Sequence, residues 1–592
     1  MGSSMITIFV DGDAVLVDPD MNLLEACRSA GAKIPTLCWL KDISANASCG
    51  VCVVEVAGAK ALVRSCVGKP TEGMKVTTAG PRVMRARRIA VELLLANHPM
   101  NCLTCARNGI CELQSLAETL GIREVRFPRT RKAPALDLST DGLVRDNDKC
   151  VLCGRCVAVC SDVQTVSAIQ FAGRGIKTRV ATFMDRGLAE SPCVQCGQCS
   201  VVCPTGAIVE RDETEEVWRS IADKKRTTIV QTAPAIRASL GEALGMSPGS
   251  LVTGKMVAAL RRLGFGKVFD TQFAADLTIM EEGSELLKRI TKGGTLPMIT
   301  SCSPGWVNFI ETFYPSLLPH LSTCKSPQQM FGALAKSFYA EKAGIDPELM
   351  SVASIMPCTA KKHEARRPEM RGAAEYWKEK GRASEKAYGA SYYDVDWALT
   401  TRELARMIKR AGIDIERLPE EDFDDPLGRS TGAATIFGTT GGVMEAALRT
   451  VYELVTGRAL PGIDFVAVRG LEGIKTAEVD LDGTQVRVAV AHSLKNARSL
   501  LEEIKAGTSP YHFIEIMSCP GGCIGGGGQP ILPNTEKRLA RNLAMYEEDK
   551  RLDLRKSHEN LSIKTLYTEF LGEPLGHRSH ELLHTEYAHR KV

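Results

Sequence analysis

The segment 150-CVLCGRCVAVC-160 carries four cysteines separated by two, two and three residues, and 193-CVQCGQCSVVCP-204 repeats that spacing before a proline. The chain has 592 residues and 21 cysteines, sixteen of them between Cys27 and Cys203 and five from Cys302 onward. A disulfide scaffold is small and secreted, whereas this chain is long and its start shows no basic segment followed by an apolar one. Clustered soft thiolates therefore indicate bound metal, with zinc and iron–sulfur as the candidates.

The overall composition is that of an ordinary globular chain, with 44% hydrophobic and 24% charged residues. Its length predicts three to five domains. Because no apolar run reaches about eighteen residues, we expect no membrane span and a cytoplasmic protein. The formal charge of +4 counts every cysteine as neutral, and the basic residues are dispersed, so nucleic-acid binding is not expected.

The repeated spacing is typical of the bacterial ferredoxin pattern that holds two [4Fe–4S] cubes. In that pattern, the first three cysteines of each run hold one cube and the fourth crosses to the other. We therefore predict one cube on Cys150, Cys153, Cys156 and Cys203, and a second on Cys193, Cys196, Cys199 and Cys160. Two structural zinc ions are the alternative.

A different cysteine group lies near the N-terminus, around 49-CGVC-52. Together with Cys38 and Cys66 it predicts a [2Fe–2S] site of the plant ferredoxin type, although its first gap is longer than usual. The longer gap resembles the N-terminal ferredoxin domain of the large peripheral subunit of complex I. Structural zinc is again the alternative, and Cys27 is expected to be a buried thiol without a metal.

A third group combines one histidine with three cysteines, namely His98, Cys102, Cys105 and Cys111. Three thiolates and one imidazole suit a structural zinc ion. The place of this group between the other two resembles the His-ligated [4Fe–4S] site of the same complex I subunit, which favours iron–sulfur. Four predicted clusters in series would conduct electrons toward a terminal site.

From about residue 225 the pattern changes to apolar strands alternating with helical stretches. We predict strands in TTIVQTAP, TLPMITSC, MSVASIMPC, GAATIFGTTGG and YHFIEIMSC, which indicate an α/β domain. Ligands of such sheets gather beyond the carboxyl ends of strands. Residues 535–592 are charged and predicted to form a helical tail packed on this domain.

Three loops in this region are chemically unusual: TSCSPGW at 300–306, MPCTAKK at 356–362 and MSCPGGCIGGGGQP at 517–530. They resemble the three signature loops of [FeFe]-hydrogenases, and the resemblance extends over residues 225–530. The N-terminal cluster pattern resembles the long forms of the same family. The resemblance implies an H-cluster, which is a [4Fe–4S] cube joined through one cysteine sulfur to a two-iron unit with CO, cyanide and a bridging dithiolate amine.

The resemblance also assigns residues to the site. Cys523 would bridge the cube and the two-iron unit, Cys519 and Cys358 would bind the cube, and Lys361 would lie beside a cyanide. The pocket would be lined by Pro234, Ala235, Ser326, Gln328, Met356 and Met517. Protons would pass through Cys302, Glu282, Ser322, Glu285 and Arg289, whereas the residues alone would predict that 281-EEGSELLKR-289 is a solvated helix face.

One position departs from the family pattern. The fourth cube ligand of well-known members follows the shuttle cysteine directly, and here that position is Ser303. Because serine oxygen is a poor substitute for a thiolate, we predict that Cys324, in LSTCKSPQQM, supplies the missing ligand. Ligation by Ser303, a water-filled position, and a packed Cys324 thiol are the alternatives.

The predicted architecture is multidomain α+β. It comprises a β-grasp [2Fe–2S] ferredoxin-like domain (1–80), a small domain for the His-ligated cluster (81–135), a two-[4Fe–4S] ferredoxin-like domain (140–215), a two-lobed α/β H-cluster domain (225–530) and a helical tail (535–592). The expected cofactors are one [2Fe–2S] cluster, three accessory [4Fe–4S] clusters and the H-cluster.

The expected activity is the interconversion of H2 with two protons and two electrons. The electrons would be exchanged with ferredoxin, with NAD(P), or with both. An enzyme that uses both would be electron-bifurcating. Since no GxGxxG follows a strand, NAD(P) would be bound by a flavin-containing partner subunit in a hetero-oligomer. A stand-alone ferredoxin-linked enzyme, a hydrogen-sensing or regulatory hydrogenase, a complex I-like electron-transfer subunit and a cluster-assembly protein are the alternatives.

Overall fold

The computed structural model describes residues 4–132, 134–381, 392–458, 460 and 462–591. Its first unit is a mixed five-stranded sheet of order β2-β1-β7-β5-β6 packed on helix α1. The elements are β1 (Ile6–Val10), β2 (Asp13–Val17), α1 (Leu23–Ser29), β3 (Trp39–Leu40), β4 (Ser44–Ala45), β5 (Val53–Val56), β6 (Val63–Arg64) and β7 (Lys75–Thr77). Alternation along β1 buries Ile8 and Val10 against this helix.

Two helices connect this unit to the cysteine repeat: α2 (Pro81–Ala96) and α3 (Glu112–Thr119). Helix α2 begins at Pro81, where a missing N–H costs nothing because the first N–H groups of a helix have no partner within it. Val83, Val91 and Leu95 are buried along one face.

The cysteine repeat folds as two similar halves joined by a two-stranded antiparallel sheet of β8 and β11. The elements are β8 (Leu143–Arg145), α4 (Arg155–Ala158), β9 (Gln170–Ala172), β10 (Arg179–Ala181), α5 (Gln198–Val202) and β11 (Ile208–Glu210). Both short helices follow a left-handed glycine, Gly154 with φ 80° and Gly197 with φ 72°. The sequence repeat is therefore a structural repeat, with one turn geometry in both copies.

The region from residue 214 onward contains two four-stranded sheets flanked by helices. The elements of the first lobe are α6 (Thr214–Ala222), β12 (Thr227–Thr232), α7 (Leu240–Ala243), α8 (Thr253–Leu263), β13 (Lys267–Asp270), α9 (Thr271–Lys292), β14 (Met298–Ile299), α10 (Pro304–Phe313), α11 (Pro327–Leu334), α12 (Ala340–Ala343), β15 (Met350–Met356), α13 (Ala360–Glu364), α14 (Gly372–Glu379), β16 (Trp397–Thr400) and α15 (Thr401–Arg410), with β14 and α10 crossing to the second. The second lobe adds α16 (Gly432–Ile436), α17 (Gly442–Thr456), β17 (Ile474–Leu481), β18 (Thr484–His492), α18 (Leu494–Lys505) and β19 (Phe513–Met517).

The strand order places the unusual loops together. One sheet has the order β13-β12-β15-β16 with every neighbour parallel, and the other has the order β14-β19-β18-β17 with only the β17–β18 pair antiparallel. The loops after β12, β14, β15 and β19 therefore leave the carboxyl ends of parallel strands, as predicted. Four of the five predicted strand segments contain these four strands.

The fifth segment, GAATIFGTTGG, is a helix and the strand prediction is wrong there. Residues 432–436 form α16, and its backbone packs against the C-terminal tail so closely that a Cβ on Gly432 would lie 2.0 Å from an Asp549 carboxylate oxygen. A short apolar run cannot by periodicity alone distinguish a strand from a buried helix. Tertiary packing of small residues decides the outcome.

The C-terminal tail forms α19 (Thr535–Arg551), α20 (Leu561–Leu566) and α21 (His577–Leu583), which pack on the two-sheet region. Ile563, Leu566 and Leu582 belong to the same buried cluster as α11. Among the described residues, no helix combines the length and apolar character needed to cross a bilayer.

Candidate active site and cluster sites

A cavity lies where the carboxyl ends of the two sheets face each other. The loops after β12, β14, β15 and β19 supply most of its wall. The lining residues that bear on the argument are Pro234, Cys302, Ser303, Gln328, Met356, Cys358, Lys361, Met517, Cys519 and Cys523. Sequence-distant residues predicted to share one site are thus brought together.

Three thiols at this cavity have the properties of iron–sulfur ligands. Cys358, Cys519 and Cys523 form no disulfide and face the same space. Burial raises the pKa of Cys523 to about 12, and the neighbouring Cys519 thiolate adds to that shift. Without a cation these buried thiols would stay protonated, so the site favours a positively charged, soft centre that stabilises thiolates. The donor set fits an iron–sulfur group.

Glycine makes the walls of this cavity possible. A Cβ on Gly526 would lie 2.0 Å from the carbonyl oxygen of Pro357, so the third loop presses directly on the second. A Cβ on Gly527 would lie 2.2 Å from the carbonyl oxygen of Cys196, which belongs to the cysteine repeat. Glycine at 527 therefore lets the cluster domain approach the cavity at backbone contact distance.

Lys361 supplies a positive charge at the wall. Its ammonium donates to the Glu364 carboxylate at 2.8 Å and to the carbonyl oxygen of Cys302 at 3.2 Å. It lies buried at the start of α13. The ion pair fixes the ammonium beside the cavity, where an anionic ligand would be favoured.

Ser303 occupies the place where the family pattern has a cysteine. Its hydroxyl lines the cavity, donates to Ser518 Oγ at 3.2 Å and accepts from the Ser518 backbone N–H at 3.3 Å. Cys302, its neighbour, also lines the cavity. A hydroxyl therefore faces the same space as the three thiols.

The prediction that Cys324 supplies the missing thiolate is not supported by its position. Cys324 is fully buried, is absent from the cavity wall, and has its sulfur within 4.8 Å of a Glu285 oxygen and a His584 nitrogen. Its backbone carbonyl accepts a hydrogen bond from Ser301 at 2.6 Å, so the chain is close but the thiol points away. Counting cysteines could not reveal which way this side chain turns.

Two other predicted wall residues are set back from the cavity. Ala235 packs against the backbone of Gly438, and Ser326 donates to Glu364 at 3.0 Å. Neither lines the space, although their neighbours Pro234 and Pro327 do. The sequence reasoning missed Phe437, which lines the cavity from the segment predicted as a strand.

The predicted proton relay runs from the cavity along helix α9. Cys302 is at the cavity and is electrostatically coupled to Glu282. Ser322 donates to Glu285 at 2.9 Å, and Arg289 donates to the same carboxylate at 2.6 Å. Ser322, Glu285 and Arg289 are therefore joined by hydrogen bonds, while Glu282 lies near Cys302 and Ser322 without a hydrogen bond to either.

Glu282 is the most perturbed carboxyl of this series. Burial, and then the charge of Glu285, raises the pKa of Glu282 to about 8. Neither of its carboxyl oxygens has a hydrogen-bond partner among the described residues. Burial likewise raises the pKa of the Cys302 thiol well above its usual value. Both groups hold their protons at neutral pH and can pass them on.

The cysteine repeat brings its ligands together as predicted. A second cavity is lined by Cys150, Cys153, Cys156 and Cys203, so the fourth cysteine of the second run joins the first three of the first. Burial raises the pKa values of Cys193 and Cys199, and the nearby Cys160 raises them further. The crossed pairing is therefore present in the fold, as two-cube ligation needs.

The four cysteines of the predicted [2Fe–2S] site also lie together. The thiol of Cys38 contacts those of Cys49 and Cys66, and the thiol of Cys52 contacts that of Cys66. Cys27 is fully buried in the same core cluster as Cys52 and Cys66. His98 bonds the Pro99 carbonyl through Nδ1 at 2.8 Å, while its buried Nε2 has no partner among the described residues. An orphaned imidazole nitrogen fits a metal ligand.

Comparison with known proteins decides the family. The description "Iron only hydrogenase large subunit, C-terminal domain" matches residues 226–527. The chain is 50% identical over 99% of its length and the whole of the relative to the NADP-reducing hydrogenase subunit HndD of Solidesulfovibrio fructosivorans.

The chain belongs to the [FeFe]-hydrogenase family. This hydrogenase therefore oxidises or produces H2 and moves the electrons through its iron–sulfur domains. It is 38% identical over 98% of its length and 100% of the relative to iron hydrogenase 1 of Clostridium pasteurianum. A solved structure of [FeFe]-hydrogenase HydA1 from Chlamydomonas reinhardtii aligns with TM-score 0.56 and 42% identity, covering 64% of this chain and 100% of that one.

Four further descriptions match other parts of the hydrogenase, and three of them name iron–sulfur binding. These are "2Fe-2S iron-sulfur cluster binding domain" (3–81), "NADH-ubiquinone oxidoreductase-G iron-sulfur binding region" (87–126), "4Fe-4S dicluster domain" (149–207) and "Iron hydrogenase small subunit" (535–590). The family resemblance expected from the three loops is thereby confirmed.

Proposed function

We propose that this chain is the hydrogen-activating subunit of a multi-subunit, NADP-linked hydrogenase. The supporting observation is the cavity itself, because three unpaired thiols, a lysine and a protonated thiol converge at the end of a series of cysteine sites. The relative HndD is named as one subunit of an NADP-reducing enzyme. A flavin- and NADP-binding partner would complete the complex.

Within the cavity, Cys358, Cys519 and Cys523 would hold the H-cluster, with Cys523 as the bridging ligand. Ser303 replaces Cys324 in our assignment as the fourth donor, because its hydroxyl faces the thiols. When bound, the group supplies the redox-active iron at which H2 is split or formed. Lys361 would neutralise negative charge on it, and Met356 and Met517 would pack against it.

Proton movement is the part that the protein's own residues perform. Cys302 would exchange a proton with the reacting group, and Glu282 would exchange it with the thiol. Ser322 and Glu285 would carry it outward along α9, since Ser322 donates to Glu285 at 2.9 Å. The neutral state of Glu282 at pH 7 suits this task. Arg289 would hold Glu285 in place.

Electron movement would follow the contacts between cluster sites. Cys196 lies against Gly527 and next to Cys519, so the second cube of the repeat would adjoin the active cavity. The first cube would adjoin both N-terminal groups. Cys153 shares a buried cluster with Cys38 and Cys49, and a Cβ on Gly206 would lie 2.8 Å from Cys105 Sγ.

That arrangement supports two branches which meet at the first cube: one from the [2Fe–2S] site and one from the His98 site. An imidazole ligand makes a cluster less negative and raises its potential. The domain limits 1–80, 81–135, 140–215, 225–530 and 535–592 remain our proposal, as do one [2Fe–2S] and three accessory [4Fe–4S] clusters. A cytoplasmic location is also part of our proposal.

The proposal is tested with the matured chain purified alone and then with its flavoprotein partner. We expect the chain alone to evolve H2 from a reduced viologen or ferredoxin and to leave NADP⁺ unreduced. Addition of the partner subunit should give H2-dependent NADP⁺ reduction. Reduction of NADP⁺ by the chain alone would contradict the division of labour.

A further inference from the structure

We propose that His584, in the C-terminal tail, is the residue through which protons from solvent reach the relay carboxylate Glu285. The proposal rests on the relay of the preceding section and extends it to the surface. A Glu285 oxygen, the Cys324 sulfur and a ring nitrogen of His584 all lie within 4.8 Å of one another. All three residues are buried.

The tail is held beside the relay by its backbone. The N–H of Lys325 donates to the carbonyl of Leu583 at 2.7 Å, and the N–H of Thr585 donates to the carbonyl of Thr323 at 2.8 Å. These two bonds form an antiparallel bridge in which His584 pairs with Cys324. The imidazole is therefore placed by main-chain geometry.

Glu281 orients the imidazole ring. Nε2 of His584 lies 3.1 Å from a Glu281 oxygen, and Nδ1 lies 2.8 Å from the Thr323 hydroxyl. Burial opposes the charge of Glu281, but hydrogen bonds from His584 and Tyr567 outweigh it and lower its pKa. A carboxylate at Nε2 fixes that nitrogen as a donor, so Nδ1, beside the Thr323 hydroxyl, is the nitrogen left to exchange protons.

Arg289 cannot perform this exchange. Its guanidinium donates to Glu285 at 2.6 Å and to main-chain carbonyls of Thr295, Pro319, His320 and Leu321. An arginine does not lose its proton in a protein, and carbonyl oxygens do not supply one. Arg289 therefore positions Glu285. His584 is the titratable group that lies between Glu285 and the solvent.

One side of the buried His584 borders a surface depression, which it helps to line. Its ring centroid is 4.5 Å from that of His580, an exposed residue. Five carboxylates line the depression, against the cations Lys325 and Arg371: Glu369, Glu375, Glu379, Glu581 and Glu586. A net negative mouth raises the local concentration of protons.

The proton balance is simple. Inward, an imidazolium at His584 gives up one proton and becomes neutral, while the Glu285 carboxylate takes one proton and becomes a neutral carboxyl. The Thr323 hydroxyl and the Cys324 thiol lie next to the two groups that exchange this proton. Outward, during H2 oxidation, the carboxyl returns its proton to His584, which releases it to solvent or to His580. No electron moves in either direction.

The test compares His584→Ala and His584→Gln with His577→Ala in the matured enzyme. His577 is exposed, begins the helix α21 that ends one residue before His584, and pairs only with Glu581 among the described residues. We expect turnover to fall about 100-fold in both His584 variants, the lower end of what a positioned acid–base group contributes. His577→Ala should be unchanged. Imidazole in the buffer should restore His584→Ala, because the depression gives it access to the vacated position.

A second readout does not depend on turnover. In protein that holds its cubes but lacks the two-iron unit, a light-triggered pH jump should be followed by infrared at the carboxyl C=O stretch. Protonation of the relay carboxyls should be slowed about 100-fold in His584→Ala and restored by imidazole. Wild-type rates in both His584 variants, with no imidazole effect, would overturn the proposal.

Glu285→Gln separates this proposal from the relay itself. If Glu285→Gln is impaired while both His584 variants are normal, the relay stands and the access route through the tail is refuted. If Glu285→Gln turns over normally, the relay fails and with it the basis for the access route. Loss in all three, with imidazole rescue of His584→Ala alone, is the expected result.

Discussion

Replacement of Glu282 by glutamine tests the proton relay at its most perturbed member. Burial raises the pKa of this carboxyl from 4.5 to about 8, so about nine in ten molecules keep the proton at pH 7. Forcing ionisation in place costs about 5 kcal/mol relative to water. An amide has the same shape and is also neutral, but it cannot release a proton. The substitution therefore removes one function and little else.

We expect Glu282→Gln to lower H2 turnover by about 100- to 10,000-fold, the range of a lost general acid–base group. Iron content should be normal, since Glu282 does not line the cavity. Turnover is measured with a dye as electron partner, so that the partner subunit is not limiting. Glu478→Gln, at an exposed position on β17, is the matched control.

The pH dependence follows from the same shift. Because the folded-state pKa is raised, the protonated form is present below about pH 8 and is lost as the pH rises through that value. An infrared C=O band of the protonated carboxyl should fade with that midpoint and be missing in Glu282→Gln. Near-normal turnover in Glu282→Gln, or a band that fades near pH 4.5, would refute the reasoning.

The other predictions concern the cluster sites. Ser303→Ala should weaken retention of the cavity cube and change its electron paramagnetic resonance spectrum, whereas Cys324→Ala should leave iron content and spectrum unchanged; the reverse pattern would restore Cys324 as the ligand. His98→Cys should lower the potential of one cluster in a redox titration, because a thiolate adds negative charge, and an unchanged set of potentials would argue against ligation by His98. Gly527→Ala should slow electron transfer between the cysteine repeat and the cavity, because its Cβ would meet the Cys196 carbonyl at 2.2 Å. Dye-linked turnover at the cavity should be retained. Normal transfer in stopped-flow measurements would show that the close approach is dispensable.

The cysteine patterns were sufficient to predict which cysteines lie together, because their spacing encodes a local geometry that tertiary contacts do not override. The crossed set of Cys150, Cys153, Cys156 and Cys203 is an example. The orientation of Cys324 could not be predicted, since it depends on a bridge to His584, which lies 260 residues away in sequence. The role of Phe437 was missed for a related reason, because an apolar run was taken as a strand and packing against the tail made it a helix.

The His584 bridge also explains why sequence reasoning ended the relay at Arg289. Glu282 and Glu285 lie three residues apart on one helix, so their shared face is readable from spacing. The tail approaches that face from a separate unit of the chain. The residue pattern of neither segment predicts a contact with the other, and only the folded structure shows that they meet.

Infrared spectroscopy of the anaerobically purified, matured protein tests the central claim most directly. If the cavity formed by Cys358, Cys519 and Cys523 holds an H-cluster, bands of metal-bound CO and cyanide will be present, and they will be lost in Cys523→Ala. Absence of these bands in protein that was matured and retains its iron–sulfur cubes would contradict the assignment of the cavity as the site of hydrogen chemistry.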